Sequence, residues 1–234
     1  MLGKFLLLAF LARVLPAGEL GAYGLTVVTI SFCVYLLGLD FYAYAQREIL
    51  AADTSARAPL LRNQFGLYLL LYLLLTPVVA LALHLAGWAP AMIGWLLLLL
   101  TLDHFSQELY RYLIVEQRVL QASLALFLRA GAWVYPLMAA MWLEPSSRSL
   151  QLVFLAWAAG SSLSIVCACV SLRHTLGEVL RIRGLDWRWV RGGLGTALYF
   201  LAGTLAFRAL LTIDRYLLEW SSDMATVGVY TLYI

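Results

Sequence analysis

Residues 63–102 read NQFGLYLLLYLLLTPVVALALHLAGWAPAMIGWLLLLLTL, without one charged side chain. A helix that crosses a bilayer needs about 20 mostly apolar residues, so this run is too long for a single crossing. Gly87-Trp88-Ala89-Pro90 supplies the break, since Gly and Pro punctuate helices. The stretch predicts two spans, 64–86 and 91–112, joined by a tight turn. The whole chain agrees with it: 234 residues, 63% apolar and only 12% charged. Soluble domains carry about 45–50% apolar and about 25% charged residues. This composition excludes a cytoplasmic enzyme, a disordered tail and a nucleic-acid binder.

Working outward, further spans are predicted at 22–45, at 122–143 (interrupted by Arg129), at 149–172 and at 192–218, and another apolar run opens at Ala225. Residues 4–15 resemble the start of a signal peptide, but Arg13 ends the apolar run and no A-x-A site follows. They are expected to be the second half of a first membrane helix. Ten arginines (47, 57, 62, 111, 118, 173, 181, 183, 188 and 191) fall in loops on one side of this alternation, against Arg13 and Arg148 on the other. The positive-inside rule then puts the N-terminus and the 173–191 loop in the cytoplasm. That loop carries five arginines against Glu178 and Asp186, as a topology signal or as an interfacial segment on anionic lipid. The fold class is an all-α, polytopic transmembrane helix bundle.

Ionisable groups at membrane depth are costly and therefore functional candidates. Here they are Asp40, Asp103, Glu108, Arg129, Arg208, Asp214 and Arg215. Asp40 and Glu108 lie near predicted span ends, where snorkelling to the interface is the plain expectation. Arg208 and Arg215 are seven apart and share a helix face, whereas Asp214 points about 100° away. His104 and Glu108 are four apart, yet a metal needs three or four converging ligands, so neither a metal nor another cofactor is expected. His84, a lone histidine in a leucine-rich helix, reads as hydrogen-bonded to backbone or placed at the outer interface. Cys33, Cys167 and Cys169 read as small apolar residues. Tyr68, Tyr72, Trp88, Trp95, Trp187, Trp189, Tyr230 and Tyr233 are expected in aromatic belts. No GxSxG, Walker A or HExxH motif occurs, no catalytic residue is assigned, and the chain is not expected to be an enzyme. Gly160, Ser161, Ser162, Ser164 and Ala168 suit close helix packing.

Two segments repeat a pattern. Ala12-Arg13-Val14-Leu15-Pro16-Ala17-Gly18-Glu19-Leu20-Gly21-Ala22-Tyr23 ends one span and opens the next. Asp214-Arg215-Tyr216-Leu217-Leu218, followed by Val227-Gly228-Val229-Tyr230, does the same near the other end. The two Gly-x-Tyr units lie 207 residues and six spans apart. An even number of spans gives a parallel repeat, as in transporters whose lobes rock about a central site. The expected domains are a first six-helix lobe, residues 1–191, and the beginning of a second, pseudo-symmetric lobe, residues 192–234.

These two junctions, with Arg47-Glu48 after the second predicted span, resemble those of the Wzx-like polysaccharide flippases, within the multidrug/oligosaccharidyl-lipid/polysaccharide exporter superfamily. The resemblance implies a two-lobed transporter that moves a polyprenyl-diphosphate-linked oligosaccharide across the bacterial inner membrane for surface polysaccharide synthesis. It also makes this chain a truncated N-terminal half. In that picture Arg129, Arg208, Arg215 and Arg13 are candidates to bind the pyrophosphate. Asp40, Asp103 and Asp214 are candidates to bind a coupling proton or sodium ion. Expected partners are the lipid-linked substrate, membrane lipids and other polysaccharide-assembly membrane proteins, with no nucleic acid. The alternatives are a multidrug antiporter of the same superfamily, which would favour unpaired carboxylates, and an inactive remnant. A membrane glycan polymerase or acyltransferase would need larger loops.

Overall fold

The computed structural model describes residues 2–232. In chain order the helices are α1 (Leu2–Val14), α2 (Ala17–Gly38), α3 (Tyr42–Ala51), α4 (Thr54–Leu85), α5 (Pro90–Val115), α6 (Val119–Phe127), α7 (Val134–Leu143), α8 (Leu150–Ser171), α9 (Arg173–Arg181), α10 (Trp187–Ser221) and α11 (Met224–Thr231). A π-helical turn, Leu128–Ala132, joins α6 to α7, and no strand occurs among the described residues. Five helical stretches are long and apolar enough to cross a membrane: Ala17–Gly38, Thr54–Leu85, Val119–Leu143, Leu150–Ser171 and Trp187–Ser221. Leu73, Val78, Leu155 and Val170 on their outer faces are exposed, a surface suited to lipid rather than water. The chain is an all-helical bundle of a membrane protein.

The break inside the charge-free run falls where Gly and Pro demand it. Gly87 takes φ +86 between α4 and α5, a conformation that side chains resist. Pro90 opens α5, where its missing N–H costs nothing.

Elsewhere the predicted boundaries move. The span expected at 22–45 stops at Gly38, because Leu39 and Asp40 take left-handed backbone (φ 49 and 52) and the chain restarts as the separate helix α3. The span expected at 64–86 begins ten residues earlier, at Thr54, so α4 runs for 32 residues, about 48 Å. That exceeds the ~30 Å hydrocarbon core, and the first turns of α4 stand outside it. Helix α5 is not among the five apolar stretches, because its second half carries Asp103, His104, Gln107, Glu108 and Arg111. Two of those groups, His104 and Glu108, are buried against protein. The apolar part of α1 is short, Phe5–Val14.

Polar contacts fix the two ends of the bundle. At one end Arg57 pairs with Glu116 at 3.5 Å, Arg118 donates to the Ser171 carbonyl, and Asn63 Oδ1 accepts the Asp186 N–H at 2.9 Å. The start of α4, the ends of α5 and α8, and the start of α10 therefore meet there, so α4 and α10 run opposite to α5 and α8. At the other end Glu19 accepts the Leu150 N–H at 2.9 Å, tying the start of α2 to the start of α8.

Helices α2 and α11 cross at glycines, and the contact is reciprocal. A Cβ on Gly21 would collide with the Met224 carbonyl oxygen and lie 3.1 Å from the Gly228 N. A Cβ on Gly228 would collide with the Ala17 carbonyl oxygen and lie 3.1 Å from the Gly21 N. One step on, Gly24 abuts Thr231. The matched positions are 17 and 224, 21 and 228, and 24 and 231, each 207 apart. The pairs advance together, so the two helices run parallel about a local two-fold axis, as the repeat predicts. Asp223 caps α11 by accepting the Thr226 N–H at 2.7 Å, and that bond holds its carboxyl below the usual carboxylate range.

Backbone cannot yield to a new methyl as a side chain can. Gly228→Ala should therefore destabilise the protein by about 1–3 kcal/mol through overpacking. Gly195→Ala on α10, where nothing lies within 4 Å, should be neutral or stabilise by up to about 1 kcal/mol, the helix-propensity gain. Thermal unfolding of the two variants in the same detergent compares them directly.

Candidate functional site

Three polar positions on α4, Gln64, Tyr68 and Tyr72, are spaced by four and share one helix face. On α5, His104 and Glu108 share a face by the same spacing, and Arg111 follows one turn on. The two faces meet. Gln64 Nε2 donates to Glu108 Oε2 at 2.7 Å and to the Tyr68 hydroxyl at 3.0 Å, while Tyr68 donates to Glu108 Oε2 at 3.1 Å. Arg111 pairs with Glu108 Oε1, and its guanidinium lies 3.4 Å over the Tyr42 ring of α3. His104 Nε2 is 3.8 Å from the same carboxylate, and its Nδ1 shares a hydrogen bond of 2.9 Å with the Tyr72 hydroxyl. Gln64, Tyr68, His104 and Glu108 are all buried. Burying a carboxylate is costly without hydrogen bonds and a counter-charge; Glu108 has two donors on Oε2 and the Arg111 guanidinium on Oε1.

Asp40 approaches the same cluster from the α2–α3 break. It is 3% exposed, and its Oδ2 accepts from Thr204 of α10 at 2.7 Å, whereas its buried Oδ1 has no partner among the described residues. A void of about 10 Å³ lies among Asp40, Tyr42, Tyr68, Glu108 and Arg111, roughly the room one water needs.

Three such polar contacts tie α2 and the break that follows it to α10. Below Asp40–Thr204, Arg208 donates to the Tyr35 hydroxyl at 3.2 Å with its guanidinium 4.9 Å over that ring, and Thr29 bonds the Tyr216 hydroxyl at 2.6 Å. Arg208 has no carboxylate partner among the described residues.

The other candidates have their own partners. Arg129 sits in the π-helical turn and pairs with Asp103 of α5 at 3.7 Å. Arg215 is buried; its N–H donates to Asp214 Oδ1 at 2.8 Å and one guanidinium nitrogen donates to the Leu211 carbonyl. Asp214 in turn accepts from the Tyr230 hydroxyl of α11 at 2.7 Å. Arg13 is exposed at the end of α1 and makes no hydrogen bond or ion pair among the described residues. Thus Arg129 and Arg208 each meet a polar partner inside the bundle, on α5 and α2 respectively, and no contact joins them.

Several expectations are corrected. Asp40 and Glu108 do not snorkel; both are buried among partners. Tyr68 and Tyr72 do not belong to an interfacial belt, since both bond the α5 cluster; Tyr233 lies outside the described residues. Gln64 and Arg111 also belong to the site, and the spacing of four shared by 64, 68 and 72 with 104 and 108 is the signal the sequence carries for it. Among the described residues no group of three His, Cys, Asp or Glu is placed to hold a metal ion. No protein-family model matches the chain, and neither a curated protein nor a solved structure matches it.

Glu108→Gln keeps the shape but strands Arg111 without its carboxylate, and is expected to cost about 3–5 kcal/mol of stability. Glu108→Gln combined with Arg111→Met should cost clearly less than the sum of the single changes. Unfolding in detergent of the two single variants and the double variant measures that coupling.

Proposed function

We propose that this chain is part of a membrane transporter that carries polyprenyl-diphosphate-linked oligosaccharide across the bacterial inner membrane, with Met1 on the cytoplasmic side. The reading is supported chiefly by the reciprocal glycine crossing of α2 and α11. Equivalent positions 207 residues apart pack about a two-fold axis, which is how parallel repeats of a two-lobed transporter meet. The Wzx-like junction motifs coincide with this crossing. Other polysaccharide-assembly proteins are its natural partners in the membrane.

Among the intramembrane arginines, Arg208 suits the diphosphate best. Its partners are a hydroxyl and an aromatic ring, so its positive charge has no opposite charge beside it. A half-buried guanidinium without a carboxylate partner has its fork free to meet an anion, and that planar fork matches phosphate oxygens. Arg129 and Arg215 already lie beside carboxylates, so substrate would have to compete for them. Asp40 sits one helical turn of α10 from Arg208, through Thr204. Of the three candidate ion-coupling carboxylates, Asp40 is the one with a buried oxygen lacking a partner among the described residues. A proton or a sodium ion bound there would change the field at Arg208.

Two sets of variants test this reading by surface polysaccharide and by immunoblot of membrane fractions. Arg208→Ala and Arg208→Gln should abolish polysaccharide at normal protein level, while Arg208→Lys keeps part of it, since Lys supplies charge without the fork. For Arg129 the pair with Asp103 allows a sharper comparison. If Arg129 binds substrate, Arg129→Ala/Asp103→Ala remains inactive; if the pair only supports the fold, the double variant recovers the activity that Arg129→Ala loses. Unimpaired polysaccharide in Arg208→Ala and Arg129→Ala would reject the diphosphate assignment. Labelling of Arg183→Cys on a cysteine-free background, from outside intact cells, would reject the orientation.

A further inference from the structure

The segment 173–191 joins two of the five membrane-crossing helices, α8 and α10, and is firmly mounted. Val179 is buried against the bundle, and Leu185 fills the notch left by Gly66 of α4. The Asp186 N–H is held by Asn63, and the Asp186 carboxylate caps α10 by accepting the N–H groups of Arg188 and Trp189 at 2.9 and 3.1 Å. On this mount Arg173, Arg181, Arg183, Arg188 and Arg191 are all exposed. None forms an ion pair among the described residues. The segment's carboxylates are Glu178 and Asp186, and Asp186 is engaged by the helix cap. Beside the arginines, Leu180 is 83% exposed and Trp187 53%.

Unpaired guanidinium groups next to an exposed leucine and tryptophan are poorly matched to bulk water. They are well matched to a phospholipid interface, where apolar side chains enter the acyl boundary and arginine forks meet phosphodiesters. Because α8 ends at Ser171 and α10 begins at Trp187, the surface stands at the depth where a membrane crossed by those helices has its head groups. We infer that the α9–α10 junction, through Arg181, Arg183 and Arg188 with Leu180 and Trp187, is a binding surface for anionic phospholipid head groups. Net negative lipid is selected because five cations face two carboxylates, so a zwitterionic head group leaves the charge unbalanced. This inference is independent of what the protein transports.

The chain is reconstituted in bilayers of equal parts phosphatidylglycerol and phosphatidylcholine, and spin-labelled versions of both lipids report the motionally restricted fraction. The expected result is a several-fold preference for phosphatidylglycerol, lost in Arg181→Gln/Arg183→Gln/Arg188→Gln and retained in Arg148→Gln. Because the triple variant carries a risk of misfolding, the unaltered protein is also measured at about 1 M NaCl, where the Debye length is about 3 Å. Loss of most of the preference there supports the inference. Equal restriction of the two lipids by the unaltered protein overturns it, as does a preference undiminished in a folded triple variant. Abolition of the preference by millimolar inorganic phosphate at constant ionic strength overturns it too, since the surface would then be a site for free phosphate.

Discussion

The Glu108 carboxyl lies buried where it needs polar company, and three helices supply it. Two donors come from α4, a counter-charge from α5 itself, and the cation is covered by the Tyr42 ring of α3. Three helices are thereby fixed in rotation as well as in distance, since a turn of α4 by one residue would carry Gln64 and Tyr68 away from the carboxylate. Apolar packing alone specifies rotation loosely among leucine-rich helices in lipid, where the surroundings are as apolar as the interface. Near this cluster the same end gathers an apolar core including Phe41, Ile49, Leu61 and Leu113. The polar contacts select one arrangement of it.

Helix α2 uses two different means of attachment along its length. Near its start it meets α11 through glycines, where backbone approaches backbone and nothing has to be desolvated. Further along it meets α10 through hydroxyl, aromatic and charged groups, Thr29–Tyr216, Tyr35–Arg208 and Asp40–Thr204. The first kind of contact is rigid because steric fit is unforgiving. The second kind is exchangeable, because each hydrogen bond can be handed to water or to an incoming ligand at modest net cost. Most of α10 is exposed to its surroundings, as Tyr199, Leu210 and Trp220 illustrate, so those three rungs are a large share of what holds it to α2.

The sequence made some of this legible and hid the rest for definable reasons. The turn at Gly87–Pro90 was readable because both residues have backbone requirements that do not depend on context. The 207-residue repeat was readable because glycine at a crossing has no substitute, and the structure pairs Gly21 with Gly228. Gly160 similarly receives the Trp133 ring, and Ser164 donates to the Ala125 carbonyl at 2.8 Å, as the small residues of α8 lead one to expect. The break after Gly38 was hidden, because left-handed leucine and aspartate have no signature in an apolar run. The polar face of α4 was hidden for another reason. Tyrosines suit interfaces in general, and only the matching rise of residues on α5 distinguishes a buried ladder from a belt. Arg129, which pairs with Asp103, sits inside a π-helical turn, a local departure from the α-helical period that the sequence pattern does not announce.

Leu39 and Asp40 take left-handed backbone in succession with no glycine to ease it. Each such residue costs about 1–2 kcal/mol, and the surroundings must over-determine the conformation for it to persist. Here the surroundings are the Asp40 carboxylate reaching Thr204, on a helix 164 residues away in sequence, the Arg111 guanidinium over the Tyr42 ring, and the burial of Phe41, Ala45 and Ile49. The joint between α2 and α3 is thus a bend clamped from three sides. Straightening it into continuous helix would relieve two backbone residues but pull Phe41, Ala45 and Ile49 out of the core, so the bend stays.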